Sequence, residues 1–139
     1  MAEAARNAGV ITADEFAVFQ NAGYMGLYGG MTVDDIHRKK NLEVGQKILD
    51  YMGSTELIAN LFRISQTEEK LRKDGVDSAD TATAVHYKVG SEVREAIEKI
   101  GGTMPEDLPT PEKSIAQLEK EQLQRLKQQA LDGQLMLDE

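Results

Sequence analysis

Apolar residues recur at helical spacing along most of the chain, and the densest run lies near its middle. The run follows Gly53 and Ser54 and reaches Leu71 without a proline. Ser54 can cap the first turn, because its hydroxyl accepts a hydrogen bond from a free backbone N–H. The pattern predicts a helix over residues 54–73 on which the others pack. Its predicted buried face comprises Leu57, Ile58, Leu61, Phe62 and Ile64.

A capping box and a second helix cap predict shorter helices in the N-terminal part of the chain. Thr12 is followed three residues later by Glu15, and Thr32 by Asp35. In a capping box the side chain of the first residue accepts a hydrogen bond from the backbone N–H of the residue three positions later, whose side chain accepts one from the first residue's N–H. The resulting helices are predicted over residues 12–22 and 33–40, and a further short helix over residues 46–52.

The C-terminal part of the chain predicts two more helices. Apolar residues at helical spacing run from Ala82 to Ile100, which indicates a helix over residues 80–100. Thr110-Pro111 then predicts the start of a final helix. The stripe from Ile115 to Leu126 is thin, which is typical of a helix that lies along a groove or pairs with another copy. Residues 131–139 are expected to fray unless their apolar side chains find a pocket.

These elements predict an all-α fold, a compact multi-helix domain of about five helices, three of them long. Residues 1–109 are expected to form the helical domain. Residues 110–139 form a C-terminal helix and tail, which belong either to the same domain or to a dimerisation arm. The first seven residues read as the end of a longer helix or as an unpacked leader.

A glycine-rich stretch separates the first two capped helices. Residues 23–30 contain four glycines together with Tyr24 and Tyr28. We interpret it as a loop that passes close to other backbone and is anchored by its aromatic side chains. A phosphate-binding loop is the alternative, but the glycine spacing matches neither nucleotide-binding motif and no strand precedes it.

Composition and charge narrow the function classes. The chain has 139 residues, no cysteine, few aromatic residues and a formal net charge of −8. Disulfides and thiolate metal sites are therefore excluded, and no apolar run is long enough to span a membrane. A soluble cytoplasmic protein is expected. The negative charge argues against non-specific binding of nucleic acid, although Arg38, Lys39 and Lys40 form one local basic cluster.

The sequence offers no recognisable catalytic or metal-binding motif. His37 and His86 are far apart in sequence and outside metal-ligand spacing, and we expect His86 to be a hydrogen-bonded structural histidine. Ser54-Thr55-Glu56 could supply a nucleophile and a base, but capping explains the serine better. We therefore expect no enzyme, no cofactor and no metal, and we assign the chain to a binding function.

Several motifs resemble one protein family. They are Phe16-Ala-Val-Phe-Gln-Asn-Ala-Gly-Tyr-Met-Gly-Leu-Tyr-Gly-Gly30, Lys47-Ile-Leu-Asp-Tyr-Met-Gly-Ser-Thr-Glu-Leu57, Ala59-Asn-Leu-Phe-Arg63, Gln66-Thr-Glu-Glu-Lys-Leu71 and Gly101-Gly-Thr-Met-Pro-Glu-Asp-Leu-Pro-Thr-Pro111. Over roughly residues 5–120 the chain resembles the C-terminal half of the bacterial DNA-damage-inducible protein D (DinD) family. The polar tail after Leu118 matches poorly.

The resemblance implies a role in the SOS response to DNA damage. Full-length members carry a BRO-type N-terminal domain ahead of this region, so the resemblance implies that the sequence is a truncated form. It also implies that the protein acts on RecA filaments on single-stranded DNA without catalysing a reaction. Our main hypothesis is thus a module that binds a RecA filament or another recombination protein. The partner-binding candidates, chosen from local chemistry, are Tyr24, Tyr28, Arg38, Lys39, Lys40, Glu92 and Glu95.

Two alternatives remain open from the sequence. A DNA-binding, antirepressor-like regulatory module is suggested by the basic cluster beside two short helices, which superficially resemble a helix-turn-helix. A homodimerisation unit is suggested by the stripe from Ile115 to Leu126. The first predicts salt-dependent DNA binding, and the second predicts self-association.

Overall fold

Every regular element of the described chain is helical. A computed structural model describes residues 1–137, with side chains through Gly133. It contains six α-helices and two short 3₁₀ turns in that range, which confirms the predicted all-α class. The α-helices are α1 (Ala2–Asn7), α2 (Ala13–Leu27), α3 (Val33–Lys39), α4 (Ser54–Lys73), α5 (Ala79–Ile100) and α6 (Ile115–Leu137), and the 3₁₀ turns are Ile48–Tyr51 and Pro105–Asp107.

Both predicted caps are present, and each forms a capping box. The Glu15 backbone N–H donates to Thr12 Oγ1 at 3.1 Å, and the Thr12 N–H donates to Glu15 Oε1 at 2.9 Å. Thr32 and Asp35 make the equivalent pair at the start of α3. The predicted cap of α4 is wrong, because Gly53 occupies the N-cap position without a side-chain bond and Ser54 is already helical.

Three further expectations differ in part from the structure. Residues 46–52 form only a single 3₁₀ turn. The last helix begins at Ile115, several residues after the Thr110-Pro111 signal. Residues 1–7 are helical and packed, since Ala5 is fully buried. α6 continues to Leu137. Whether the apolar side chains of residues 135–137 find a pocket, and whether the last two residues fray, are expectations that lie outside the described residues.

The predicted glycine-rich loop is largely helix. α2 continues past Gly23 to Leu27, so that only Gly29 and Gly30 form the turn that ends it. The expected close approach to other backbone is nevertheless present, because α2 packs along α5 at glycines of both helices. A Cβ at Gly90 would lie 2.7 Å from the carbonyl oxygen of Gly23, and a Cβ at Gly26 would meet the carbonyl of Tyr87. The glycines therefore allow close packing of two helix backbones.

The orientation of α4 is the main departure from the sequence-based prediction. The predicted apolar face is largely exposed, with Ile58 at 66%, Leu61 at 51% and Phe62 at 53% relative exposure. The buried face carries mostly polar side chains, spaced three or four residues apart: Glu56, Asn60, Arg63, Thr67 and Leu71. α4 thus turns its polar side toward the other helices, because Tyr28, Lys40 and His86 form hydrogen bonds with it there.

Two hydrophobic clusters flank this polar face. One contains Tyr24, Leu27 and Val89, among others, where α2, α3 and α5 meet. The other contains Phe19 and Leu71, with residues of the first helix and the following loop. The polar side chains of α4 contact both clusters. Arg63 stacks on Tyr24 of the first cluster and contacts His86, which packs against Phe19 of the second.

Candidate functional site

A buried ion pair joins α3 to α4. Lys40 Nζ lies 2.7 Å from Glu56 Oε1, and both side chains are almost completely shielded from solvent. The Tyr28 hydroxyl donates to the other carboxylate oxygen of Glu56. Burial, followed by the neighbouring Glu56 carboxylate, raises the pKa of Tyr28 far above its usual value, so the phenol remains protonated and donates. Lys40 also donates to the Tyr51 carbonyl at 3.1 Å, which ties the 3₁₀ turn to the pair.

Asn60 and Arg63 continue the polar network along α4. Asn60 Nδ2 lies 3.0 Å from the Tyr28 hydroxyl, and its Oδ1 accepts from Arg63 Nη2 at 3.0 Å. The Arg63 guanidinium lies 4.6 Å from the centre of the Tyr24 ring. It makes no ion pair with a described carboxylate, and its Nε has no partner among those residues. Burial lowers the pKa of Arg63, and cation–π contact and hydrogen bonds stabilise its charge.

His86 of α5 ends the network. Its Nε2 lies 2.6 Å from Arg63 Nη1, and its Nδ1 lies 2.8 Å from the carbonyl oxygen of Phe19. Because a guanidinium only donates and a carbonyl only accepts, the imidazole is neutral with its proton on Nδ1. Burial, and then the Arg63 charge, lowers the pKa of His86 to about 3. The prediction of a hydrogen-bonded structural histidine is confirmed.

Apart from Arg63 Nε, the buried polar side-chain atoms of this network have hydrogen-bond partners. A small pocket of about 130 Å³ lies beside Lys40, Glu56 and Tyr28, but the polar atoms of these three already bond within the protein. Across residues 1–133, no three histidine, aspartate or glutamate side chains converge in a way that could hold a metal ion. The network therefore has the geometry of a structural core.

Three of the predicted partner-binding residues are buried. Tyr24 and Tyr28 were expected on an exposed loop, but they lie in and at the end of α2 and face the core. Lys40 was expected on the surface, but its ammonium is held by Glu56. The expectation that these side chains are available to a partner is wrong. The longer α2 directs both tyrosines into the core, and the ammonium of Lys40 balances the charge of the buried Glu56 carboxylate.

The remaining predicted partner-binding residues are exposed but separate. Arg38 and Lys39 lie at the end of α3, and Glu92 and Glu95 lie on α5. Nothing in the structure brings the two pairs into one site. Their role as partner contacts stays a prediction.

An apolar groove lies at the surface between α4 and α5. It has a volume of about 360 Å³ and is lined mainly by aliphatic and aromatic side chains. Ile58 and Phe62 of α4 form one wall, Ala96 and Ile100 of α5 form the other, and Leu108 closes one end. Ile100 is 83% exposed. We refer to this feature as the α4–α5 groove.

A second depression extends the α4–α5 groove toward the C-terminal end of α4. It shares Phe62, Val93 and Ala96 with the first and adds charged residues, among them Lys73 and Glu92. The opposite end is held in place by Arg94, which lies 2.6 Å from Glu106 and also donates to the Leu27 carbonyl at 3.1 Å. The groove is therefore built on elements that are held in place by other contacts.

Sequence reasoning missed this groove because it assigned the same apolar residues to the core. The signal was present in the polar residues of α4, since Glu56, Asn60, Arg63 and Thr67 also recur at helical spacing. A helix with two periodic faces can bury either one. The choice depends on partners elsewhere in the chain, here Tyr28, Lys40 and His86.

Comparison with known proteins places the chain in a family. A family model described as the DinD C-terminal domain matches residues 1–118. This chain belongs to the DinD family. The predicted resemblance is thereby confirmed over the helical domain, while most of α6 lies beyond the matched region.

A curated DinD relative is similar along most of this chain. DNA damage-inducible protein D of Escherichia coli (strain K12) is 60% identical over 119 residues, which is 86% of this chain and 43% of the relative. The chain thus spans less than half the length of that DinD protein. No solved structure matches. In the part of the chain that the structure describes, none of the helices is both long and apolar enough to cross a bilayer.

Proposed function

We propose that this DinD domain acts in the DNA-damage response as a protein-interaction module that modulates RecA filaments on single-stranded DNA without catalysis. The family and the name of the similar E. coli protein support the damage-response part. RecA as the partner comes from what the family resemblance implies. The cytoplasm, where RecA filaments form, is the proposed location.

The observation that carries an interaction function is the α4–α5 groove. Large apolar side chains such as Ile58, Phe62 and Ile100 are exposed side by side, although a polar face of the same helix is buried. Contiguous apolar surface of this kind marks interaction sites in soluble proteins. Aromatic side chains near the centre of such a patch commonly supply most of the binding energy.

Cosedimentation with RecA filaments on single-stranded DNA tests the proposal. The wild-type chain is expected to pellet with the filaments or to reduce the amount of filament that pellets. Phe62→Gln should weaken this effect about tenfold, because it removes apolar contact at the groove. Val18→Gln is the matched control, since Val18 is an exposed helical residue outside the groove. Neither cosedimentation nor filament loss with the wild-type chain would contradict the proposal.

The alternative of a DNA-binding module gains no support from the geometry. Each residue of the basic cluster has a carboxylate partner: Arg38 lies 2.7 Å from Asp35, Lys39 lies 3.5 Å from Asp107, and Lys40 is buried against Glu56. The supposed second helix of the helix-turn-helix is the four-residue turn Ile48–Tyr51, which is too short to present side chains along a DNA groove.

A further inference from the structure

We infer that the α4–α5 groove of one copy of this chain receives helix α6 of a second copy. The argument joins two features that lie on the same chain and lack a partner within it. One is the apolar groove. The other is the apolar stripe of α6.

The α6 stripe is exposed along its described length. Leu118, Leu123 and Leu126 are each 42–55% exposed. With Ile115 and Ala130 they fall within about 140° of the helix circumference, an arc that also carries Glu119, Gln122 and Gln129. Within the described residues α6 contacts the 3₁₀ turn Ile48–Tyr51, and its residues from Ala116 to Gly133 are exposed apart from Glu121.

The dimensions of the two features agree. The stripe from Ile115 to Ala130 spans about 22 Å at the rise of an α-helix. The α4 wall of the extended groove runs from Thr55 to Lys73, which corresponds to about 27 Å. An amphipathic helix lying in an apolar groove is a recurrent mode of recognition.

The charges beside the two surfaces are complementary as well. Lys120 and Lys127 are exposed seven residues apart, on the same edge of the α6 stripe. Glu92 is exposed on α5 and lines the extended groove. A helix docked with that edge toward α5 pairs a base with this acid, and this gives one of the predicted partner-binding residues a role.

The occupant is α6 of another copy because the chain's own α6 is directed elsewhere. Lys40 Nζ lies 3.4 Å from Thr110 Oγ1 and thereby holds the segment before α6 near α3. The start of α6 then packs on the 3₁₀ turn. Two copies can exchange their α6 helices reciprocally, which fills both grooves in one closed, two-fold assembly.

This inference uses the same groove as the proposed function, so the dimer must open before the groove meets a filament. Self-association is measured without RecA and DNA. A failure of the dimer would therefore leave the filament experiment unaffected, and a failure of filament binding would leave the dimer unaffected.

Sedimentation equilibrium of the full chain over a dilution series tests the inference. The wild-type chain is expected to be a dimer. Phe62→Gln in the groove and Leu126→Gln in α6 should each raise the dissociation constant on the order of 30-fold, because each removes an apolar contact twice per dimer. Val18→Gln should leave it unchanged, since Val18 is equally exposed but lies on α2.

Each other outcome overturns the inference. A monomeric wild-type chain would show that the grooves stay empty or are filled by the chain's own helix. A dimer weakened only by Leu126→Gln would indicate that two α6 helices pair with each other. A dimer weakened only by Phe62→Gln would indicate that two grooves face each other. Circular dichroism of each variant confirms that the helices are retained.

Discussion

Adjacent lysines in this chain have opposite environments. Lys39 lies at the surface, about half exposed and 3.5 Å from Asp107, whereas the Lys40 side chain is 6% exposed and 2.7 Å from Glu56. A surface ion pair contributes little to stability, because water and salt screen it. Removing one member of a buried pair leaves the other charge without compensation, which is strongly destabilising.

We therefore predict that Lys40→Met lowers the free energy of unfolding by about 3 kcal/mol, since Glu56 then keeps a buried negative charge without its cation. Lys39→Met is the matched control, and its effect should stay within about 0.5 kcal/mol. Urea unfolding followed by circular dichroism measures both. Equal effects of the two substitutions would show that Lys40 is not buried against Glu56.

At the scale of single residues, the sequence predicted hydrogen bonds between polar groups close together in the chain. It did not predict hydrogen bonds between groups far apart in the chain. The capping pairs Thr12 with Glu15 and Thr32 with Asp35 were predictable because their partners lie three residues apart. The bond between Tyr28 and Glu56 joins residues 28 positions apart. No local pattern encodes such a contact, so the tyrosine was assigned to the surface.

At the scale of elements, α2 and α5 pack against each other at an unusually short distance between their backbones. Gly26 and Gly90 let the two backbones approach, so that carbonyl groups of one helix lie where a side chain of the other would begin. Such close contact is intolerant of added volume, because backbone atoms cannot move aside as a flexible side chain can.

Gly90→Ala is predicted to lower the free energy of unfolding by about 1–3 kcal/mol, because its methyl group would overlap the Gly23 carbonyl. This loss should exceed the gain in helix propensity, which is about 1 kcal/mol. Gly133→Ala is the control, since it also lies in a helix but has nothing within 4 Å of its added Cβ. Thermal unfolding compares the two, and a Gly90→Ala variant as stable as Gly133→Ala would contradict the close crossing.

Helix positions were predictable from the sequence to a greater degree than helix faces. The bounds of α4 were predicted correctly at Ser54 and Lys73, because apolar spacing and the absence of proline depend only on the local chain. Which face is buried depends on the competition between hydrocarbon burial and satisfied polar groups. On α4 the polar face is buried, so its apolar face remains at the surface and forms one wall of the α4–α5 groove.

At the scale of the whole molecule, the stability of the domain depends on pH through His86. The folded protein keeps the imidazole neutral with a pKa of about 3, whereas an unfolded histidine titrates near pH 6.5. Between these values the unfolded state binds more protons than the folded state. Stability conferred by the neutral histidine is therefore lost as the pH falls below about 6.5.

We predict that the free energy of unfolding decreases between pH 6.5 and pH 4 with a slope of up to about 1.4 kcal/mol per pH unit from His86. The variant His86→Gln should show a flatter profile. Carboxylates with lowered pKa, such as those of Asp35 and Asp74, contribute in both proteins and cancel in the comparison. Urea unfolding at several pH values measures the slopes, and parallel profiles would show that His86 titrates normally in the folded state.

The half-exposed position of Phe62 has a practical consequence for following the groove. The sequence contains no tryptophan, so Phe62→Trp would introduce one indole at the centre of the surface where α4 meets α5. Its emission shifts to shorter wavelength when water is displaced from around the ring. A single fluorophore would thus report whether the surface is covered, whichever molecule covers it.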